Sequence, residues 1–121
     1  MLQVDDLNYR IGGSDILQRL SLSIQRGQFY ALAGENGSGK STLIKIILDL
    51  IRNTGSGVIA IDGFDHKLIA ARNFLTYLPE KFDIKKEVTG WQYLKFVYGV
   101  YQQPINESKV LALCEQLGLD S

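Results

Sequence analysis

The sequence predicts an α/β fold, and three observations predict it. Two alternating β-type stretches open the chain, a glycine-rich loop stands between a short apolar run and an amphipathic helix, and helical periodicity returns near the far end. In the first stretch Leu2 and Val4, then Leu7, Tyr9 and Ile11, are the apolar positions, and Gly12-Gly13-Ser14-Asp15 signals a turn. A return strand follows, with Leu20, Leu22 and Ile24 on one face and Ser21, Ser23 and Gln25 on the other, so that it is half exposed. Arg26-Gly27 then turns into Gln28-Phe29-Tyr30-Ala31-Leu32-Ala33, which reads as a strand buried on both faces, as in a parallel sheet.

The next nine residues, Gly34-Glu35-Asn36-Gly37-Ser38-Gly39-Lys40-Ser41-Thr42, spell a Walker A phosphate-binding loop. Glycines let the backbone turn sharply and lay successive N–H groups against phosphate oxygens with no side chain in the way. The N–H groups from Gly37 onward, with Asn36 and Ser38 in the same loop, meet the positive end of the following helix, where an anion is favoured. Lys40 is placed to reach the β- and γ-phosphates, and the Ser41 hydroxyl to ligate Mg²⁺. Thr42 is either a phosphate ligand or part of the first helical turn. After the loop Leu43, Ile46, Ile47, Leu50 and Ile51 repeat at helical spacing, with Lys45, Asp49 and Arg52 opposite. Strand, loop and helix together point to a nucleoside triphosphate site with Mg²⁺.

Composition bounds the rest. A chain of 121 residues, 45% hydrophobic and 21% charged, suits one modest domain. Thirteen basic and thirteen acidic side chains cancel, so no overall field draws the protein to nucleic acid or anionic lipid. The single Cys114 excludes an intrachain disulfide and suits a reducing compartment; with Val110, Leu113 and Leu117 it forms a helical stripe and reads as a core residue. No apolar run is long enough to span a bilayer, so direct membrane insertion is not expected.

Beyond the helix, Asn53-Thr54-Gly55-Ser56-Gly57 breaks the pattern and Val58-Ile59-Ala60-Ile61 makes another apolar strand ending at Asp62-Gly63. Four apolar residues and an aspartate fit a Walker B strand. Asp-Gly is nonetheless a strong turn signal and no acidic residue follows, so a strand closing in a turn is the preferred reading. A polar, helical piece from about Asp65 to Arg72 contains His66, which reads as a surface residue. Phe74-Leu75-Thr76-Tyr77-Leu78 reads as a strand ending at Pro79-Glu80. Lys81, Asp83, Lys85, Lys86 and Glu87 form a mixed-charge connection. Thr89 and Gln92 make a capping box for a helix whose Leu94, Val97, Tyr98 and Tyr101 share a face. Trp91, Tyr93 and Phe96 lie partly off it; these aromatics read as core, with a partner-docking surface as the alternative. Pro104 ends the segment, Asn106 caps a last helix and Gly118 closes it.

In this order, the antiparallel start, the phosphate loop, the Ile61-Asp62-Gly63 turn and Tyr77-Leu78-Pro79-Glu80 about forty residues after the loop resemble the nucleotide-binding subunit of an ABC transporter. The resemblance covers essentially the whole chain. It implies a P-loop NTPase core with an amino-terminal antiparallel β subdomain and the start of a helical subdomain, all within residues 1–121, and an incomplete sheet. Glu80 then stands at the Q-loop position, commonly glutamine, which touches the metal or attacking water; with Ser41 it is a candidate metal contact. The family stacks an aromatic from its first β unit on adenine: the position falls at Ile11, which offers only apolar contact, with Tyr9 two residues earlier able to stack on a shifted register; the alternative is that both are core. The implied partners are a transmembrane transporter subunit and a second nucleotide-binding subunit, and the implied location is cytoplasmic, peripheral to the inner face of the membrane. The wider segment resembles subunits of bacterial drug, antibiotic or natural-product exporters.

The family's signature Leu-Ser-Gly-Gly-Gln, its Walker B aspartate and glutamate and its switch histidine are not in the sequence. The chain thus resembles the amino-terminal half of such a domain, and ATP binding without turnover is expected of these 121 residues, with self-association or marginal stability. A soluble ATPase of the same type, and a short non-enzymatic nucleotide-binding module, are the alternatives. A GTPase is disfavoured because no Asn-Lys-x-Asp guanine-reading segment is present.

Overall fold

A computed structural model describes residues 1–81 and 87–119. The charged positions Asp83, Lys85 and Lys86 lie outside the described residues. The chain divides into two units, residues 1–78 and 79–121.

In the first unit, β1 (Leu2–Ile11) and β2 (Ser14–Ile24) form the antiparallel pair expected from the alternation. β3 (Val58–Ile61) pairs antiparallel on the other side of β1, and β4 (Phe64–Asp65) pairs with β3. The sheet order is β2-β1-β3-β4. Asp62 and Gly63 make the tight turn between β3 and β4 with φ of 50° and 86°. Positive φ at both central residues is what a two-residue hairpin of the type I′ class requires, so Asp62 is a turn residue and not the end of a Walker B strand.

The β1–β2 ladder shifts register between Val4 and Leu7, between Leu7 and Tyr9 and between Tyr9 and Arg10. Val4 faces Leu22 and Leu7 faces Leu20, so two residues of β1 oppose one of β2, the geometry of a bulge. Asp6 sits in that bulge at φ 46° and Arg19 in the next one at φ 47°. The Asn8 side chain holds both: its amide donates to the Asp6 carbonyl at 2.8 Å and its oxygen accepts from the Arg19 N–H at 2.8 Å. The first bulge changes the parity of β1, and this puts Leu7 and Tyr9 on the core face with Val4.

Helix α1 (Lys40–Ile47) lays Leu43, Ile46 and Ile47 on that face, where they meet Val4, Leu7 and Tyr9 of β1, Leu17 of β2 and Ile59 and Ile61 of β3. The short α2 (Ile69–Arg72) adds Ala71, fully buried. The apolar stripe predicts a longer α1 than is found. Asp49 takes a left-handed φ of 55°, the Asp49 N–H donates to Ile46 and the Leu50 N–H to Lys45, and this Schellman closure ends the helix. Leu50 is consequently exposed, while Ile51 is partly buried against the core.

Two predicted strands are absent. Residues 28–33 carry no regular structure, and Phe29 is 97% exposed. A strand buried on both faces needs a hydrogen-bonded neighbour, and none of the described residues pairs with this segment. Residues 74–78 also lack a ladder, with Tyr77 and Leu78 exposed; Phe74 stacks on Phe64 with ring centroids 5.9 Å apart. His66 corrects a further expectation: it is buried, because the β3–β4 hairpin turns it under the sheet and its N–H continues the ladder to the Ile59 carbonyl at 3.1 Å.

The second unit holds α3 (Gly90–Val100) and α4 (Glu107–Gln116). Thr89 and Gln92 form the expected capping box, at 3.2 and 2.9 Å, and Asn106 caps α4 by accepting from the Lys109 N–H at 3.0 Å. Gly118, at φ 66°, closes α4. Neither helix has a buried residue, so the aromatics of α3 and the stripe through Cys114 do not form the core read from their spacing: Leu94, Val97 and Tyr98 are half-buried, and Phe96 and Tyr101 are exposed.

Two features of the first unit give measurable consequences. A Cβ at Gly55 would overlap the Asn8 carbonyl, the backbone of the residue that secures both bulges. Gly55→Ala is therefore expected to destabilise the chain by about 3 kcal/mol in urea unfolding. The Asp62 carboxylate accepts from Arg26 at 2.7 Å and from the Met1 ammonium at 3.3 Å, and these bonds, Arg26 first, hold its pKa below the ordinary 3.8. A depressed folded-state value means that the contribution is complete above pH 3.8 and is lost as the pH falls through the folded value. Melting curves should place Asp62→Asn below the native chain at neutral pH and bring the two together in strong acid.

Candidate phosphate site

The loop expected at residues 34–42 lies wholly in the first unit. Its path is set by glycine: Gly37 has φ 85° and Gly39 φ 91°, conformations that side-chain-bearing residues avoid. The Ser38 N–H donates to the Glu35 carbonyl at 3.2 Å and closes the turn that leads into α1. Gly39 is the N-cap of α1 and offers no side chain to the first turn, which also contains no acidic residue. The N–H groups of Lys40, Ser41 and Thr42 are therefore left for an external acceptor, at the end of the helix where the dipole favours negative charge.

Gly39 is buried in a seat that the sequence does not announce. A Cβ there would lie 3.0 Å from Leu17 Cδ2, 3.1 Å from the Ile16 carbonyl oxygen and 3.3 Å from Ile16 Cγ2. The return strand of the opening hairpin is thus the floor under the loop. Ile16 and Leu17 were open to detection as two consecutive apolar residues that break the alternation of their strand.

Lys40 folds back over the loop. Its ammonium donates to the Gly34 and Glu35 carbonyls, each at 2.6 Å, and reaches Ser38 Oγ at 3.4 Å. These bonds place a positive charge within the curve of the loop and rigidify it. Ser41 is exposed, as are Asn36 and Ser38. Of the two adenine candidates, Tyr9 is a core residue and has no free face to stack on a base, because the bulge before Leu7 turns it inward. Ile11, at the end of β1, is 53% exposed. Glu80 opens the second unit in an exposed bend.

Gly37 and Gly39 thus turn the chain into the amino end of a sheet-packed helix, and Lys40 folds across that turn. The chain belongs to the ABC transporter family: the model of that family, described as ABC transporter, matches residues 17–121. It is 32% identical, over its whole length, to an uncharacterised ABC transporter ATP-binding protein, YdbJ, of Bacillus subtilis, and spans 39% of that protein. It is 31% identical over 98% of its length to the lantibiotic transport ATP-binding protein SrtF of Streptococcus pyogenes, of which it covers 50%. Its fold matches a putative ABC transporter ATP-binding protein of Pyrococcus furiosus with a TM-score of 0.82 over 99% of the chain and 58% of that structure, at 24% identity. The chain thus spans between about two fifths and three fifths of the length of these proteins. Among the described residues no helix is long and apolar enough to cross a membrane.

The seat of Gly39 is directly testable. Gly39→Ala combines a strained φ with contacts tight enough that a methyl group would push against the Ile16 backbone. It is expected to abolish phosphate-dependent nucleotide binding in a calorimetric titration, whereas Gly99→Ala, at an ordinary φ and with open space around it, should leave binding unchanged.

Proposed function

We propose that residues 34–42 bind the phosphates of ATP and that the chain is the ATP-binding part of an ATPase that powers transport across a membrane. The observation that carries this reading is the uncapped amino end of α1 beneath the Lys40 ammonium: donors and charge converge where a triphosphate would lie. Gly37, Gly39, Lys40, Ser41 and Thr42 give backbone N–H groups to phosphate oxygens. Asn36 and Ser38 flank them, and Gly34 supplies the turn and a carbonyl that holds Lys40. The ammonium has three protons, so it can keep its carbonyl bonds and still present one to a phosphate.

Mg²⁺ is a hard cation that takes oxygen ligands and substrate phosphates, and the exposed Ser41 hydroxyl suits it. When bound, the ion neutralises charge on the β- and γ-phosphates. Glu80 as a second contact to the metal or to water rests on its Q-loop position. Ile11, exposed at the end of β1, gives the adenine ring an apolar contact.

Hydrolysis needs a positioned water and a group to orient it, in addition to charge stabilisation around the γ-phosphate. The residues of this chain supply the last of these. We therefore assign it ATP binding without turnover by itself. Membership of the family supports the wider reading: a transmembrane subunit and a second nucleotide-binding subunit as partners, on the cytoplasmic face of the membrane. The relative named for lantibiotic transport, together with the resemblance to exporter subunits, supports outward movement of a peptide or antibiotic-like substrate.

The test is equilibrium binding of a fluorescent ATP analogue, paired with phosphate release. Lys40→Ala should weaken binding by about tenfold or more, the loss of a charge-assisted contact to phosphate. Phosphate release should be the same for both proteins. Equal affinities would contradict ATP binding at the loop, and Lys40-dependent release by pure protein would contradict the absence of turnover.

A further inference from the structure

His66 is the buried polar side chain of the described residues, 5% exposed, and the phosphate site makes no direct use of it. Its Nδ1 lies 3.3 Å from the carbonyl oxygen of Ile47, the last residue of α1. The last carbonyls of that helix can be accounted for one by one. Ile44 accepts from the Leu48 N–H at 3.0 Å, Lys45 from Leu50 at 2.8 Å and Ile46 from Asp49 at 3.0 Å, all of them backbone bonds of the helix closure. Ile47 is left for the histidine. A carbonyl only accepts, so Nδ1 must carry the proton.

The same segment grips the helix end a second time, since Arg72 pairs with the Asp49 carboxylate at 3.4 Å. Between these points Ala71 is fully buried, and the His66 N–H is bonded to the Ile59 carbonyl of β3. The anchor is therefore itself tied to the sheet. Apolar contact through Leu43, Ile46 and Ile47 holds α1 against the sheet but is not directional, so it leaves the helix free to slide or turn slightly. Two constraints at the ends limit that freedom: the close approach of Gly39 to β2 at one end, and the directional His66 bond at the other. An eight-residue helix is about 12 Å long and behaves as a rod over that length.

We propose that His66 is a positioning residue for the phosphate loop, setting the N–H groups at the amino end of α1 by donating Nδ1–H to the Ile47 carbonyl at its carboxyl end. This rests on the reading of residues 34–42 as an ATP site. Nitrogen NMR of the imidazole in the full chain should find Nδ1 protonated and Nε2 not when the ring is neutral; the reverse tautomer overturns the proposal without any variant. His66→Leu, which keeps the bulk, should weaken binding of the ATP analogue about fivefold, and His66→Asn, whose amide can donate from the position of Nδ1, should return it to within about twofold of the native value. Folded His66→Leu protein that binds as the native chain does, or an equal loss in both variants, overturns the proposal. If the leucine variant does not fold, the tautomer and the asparagine variant decide. Native-like binding by Lys40→Ala sinks the ATP reading and the proposal with it. Loss of binding by Lys40→Ala with native-like binding by a folded His66→Leu sinks only the role of His66.

Discussion

The contact of Gly39 with the Ile16–Leu17 step of β2 is the constraint on which the rest of the site depends. It fixes where α1 begins, and with it the first-turn N–H groups of α1, the donors proposed for the phosphates. Only glycine fits both the left-handed backbone and the close approach. The opening hairpin thus supports the candidate site from below. Its bulges matter for the same reason. They set which residues of β1 face the helix, and they put Leu17 where α1 and the loop can rest on it.

Side chains distant in sequence secure that hairpin. Asn8 bridges both bulges and also reaches Ser56, while its backbone N–H donates to the Ser56 carbonyl. The glycines flanking Ser56 let the 53–57 turn lie directly on β1. Asp62 ties the β3–β4 turn to Arg26, just ahead of the segment that enters the phosphate loop. A small core is thereby given a single arrangement by a few directional bonds at its margins, where apolar burial alone would permit several.

Features written locally were legible in the sequence. The glycine turn into α1, the Asp62-Gly63 turn, the Thr89/Gln92 capping box and the Asn106 cap each depend on residues within a few positions of one another, and each is found where its spacing puts it. Features that depend on distant neighbours were not. Residues 28–33 have the composition of a buried strand, but a strand exists only with a partner, and the described sheet offers none. Tyr9 reads as available to a base until the bulge before Leu7 is known, and His66 reads as a surface residue because its burial comes from a hairpin and a helix end far away in sequence. The end of α1 was hidden for a different reason: its left-handed closing residue is Asp49 where glycine would have given the signal.

Amide NMR of the chain titrated with Mg²⁺ and ATP tests the central claim most directly, because it reads each donor of the nest separately. The largest shifts are expected at Gly37, Gly39, Lys40, Ser41 and Thr42, with smaller ones at Ile16 and Leu17 beneath the loop. A titration that leaves these amides unmoved, or that moves another part of the chain in their place, would contradict the account.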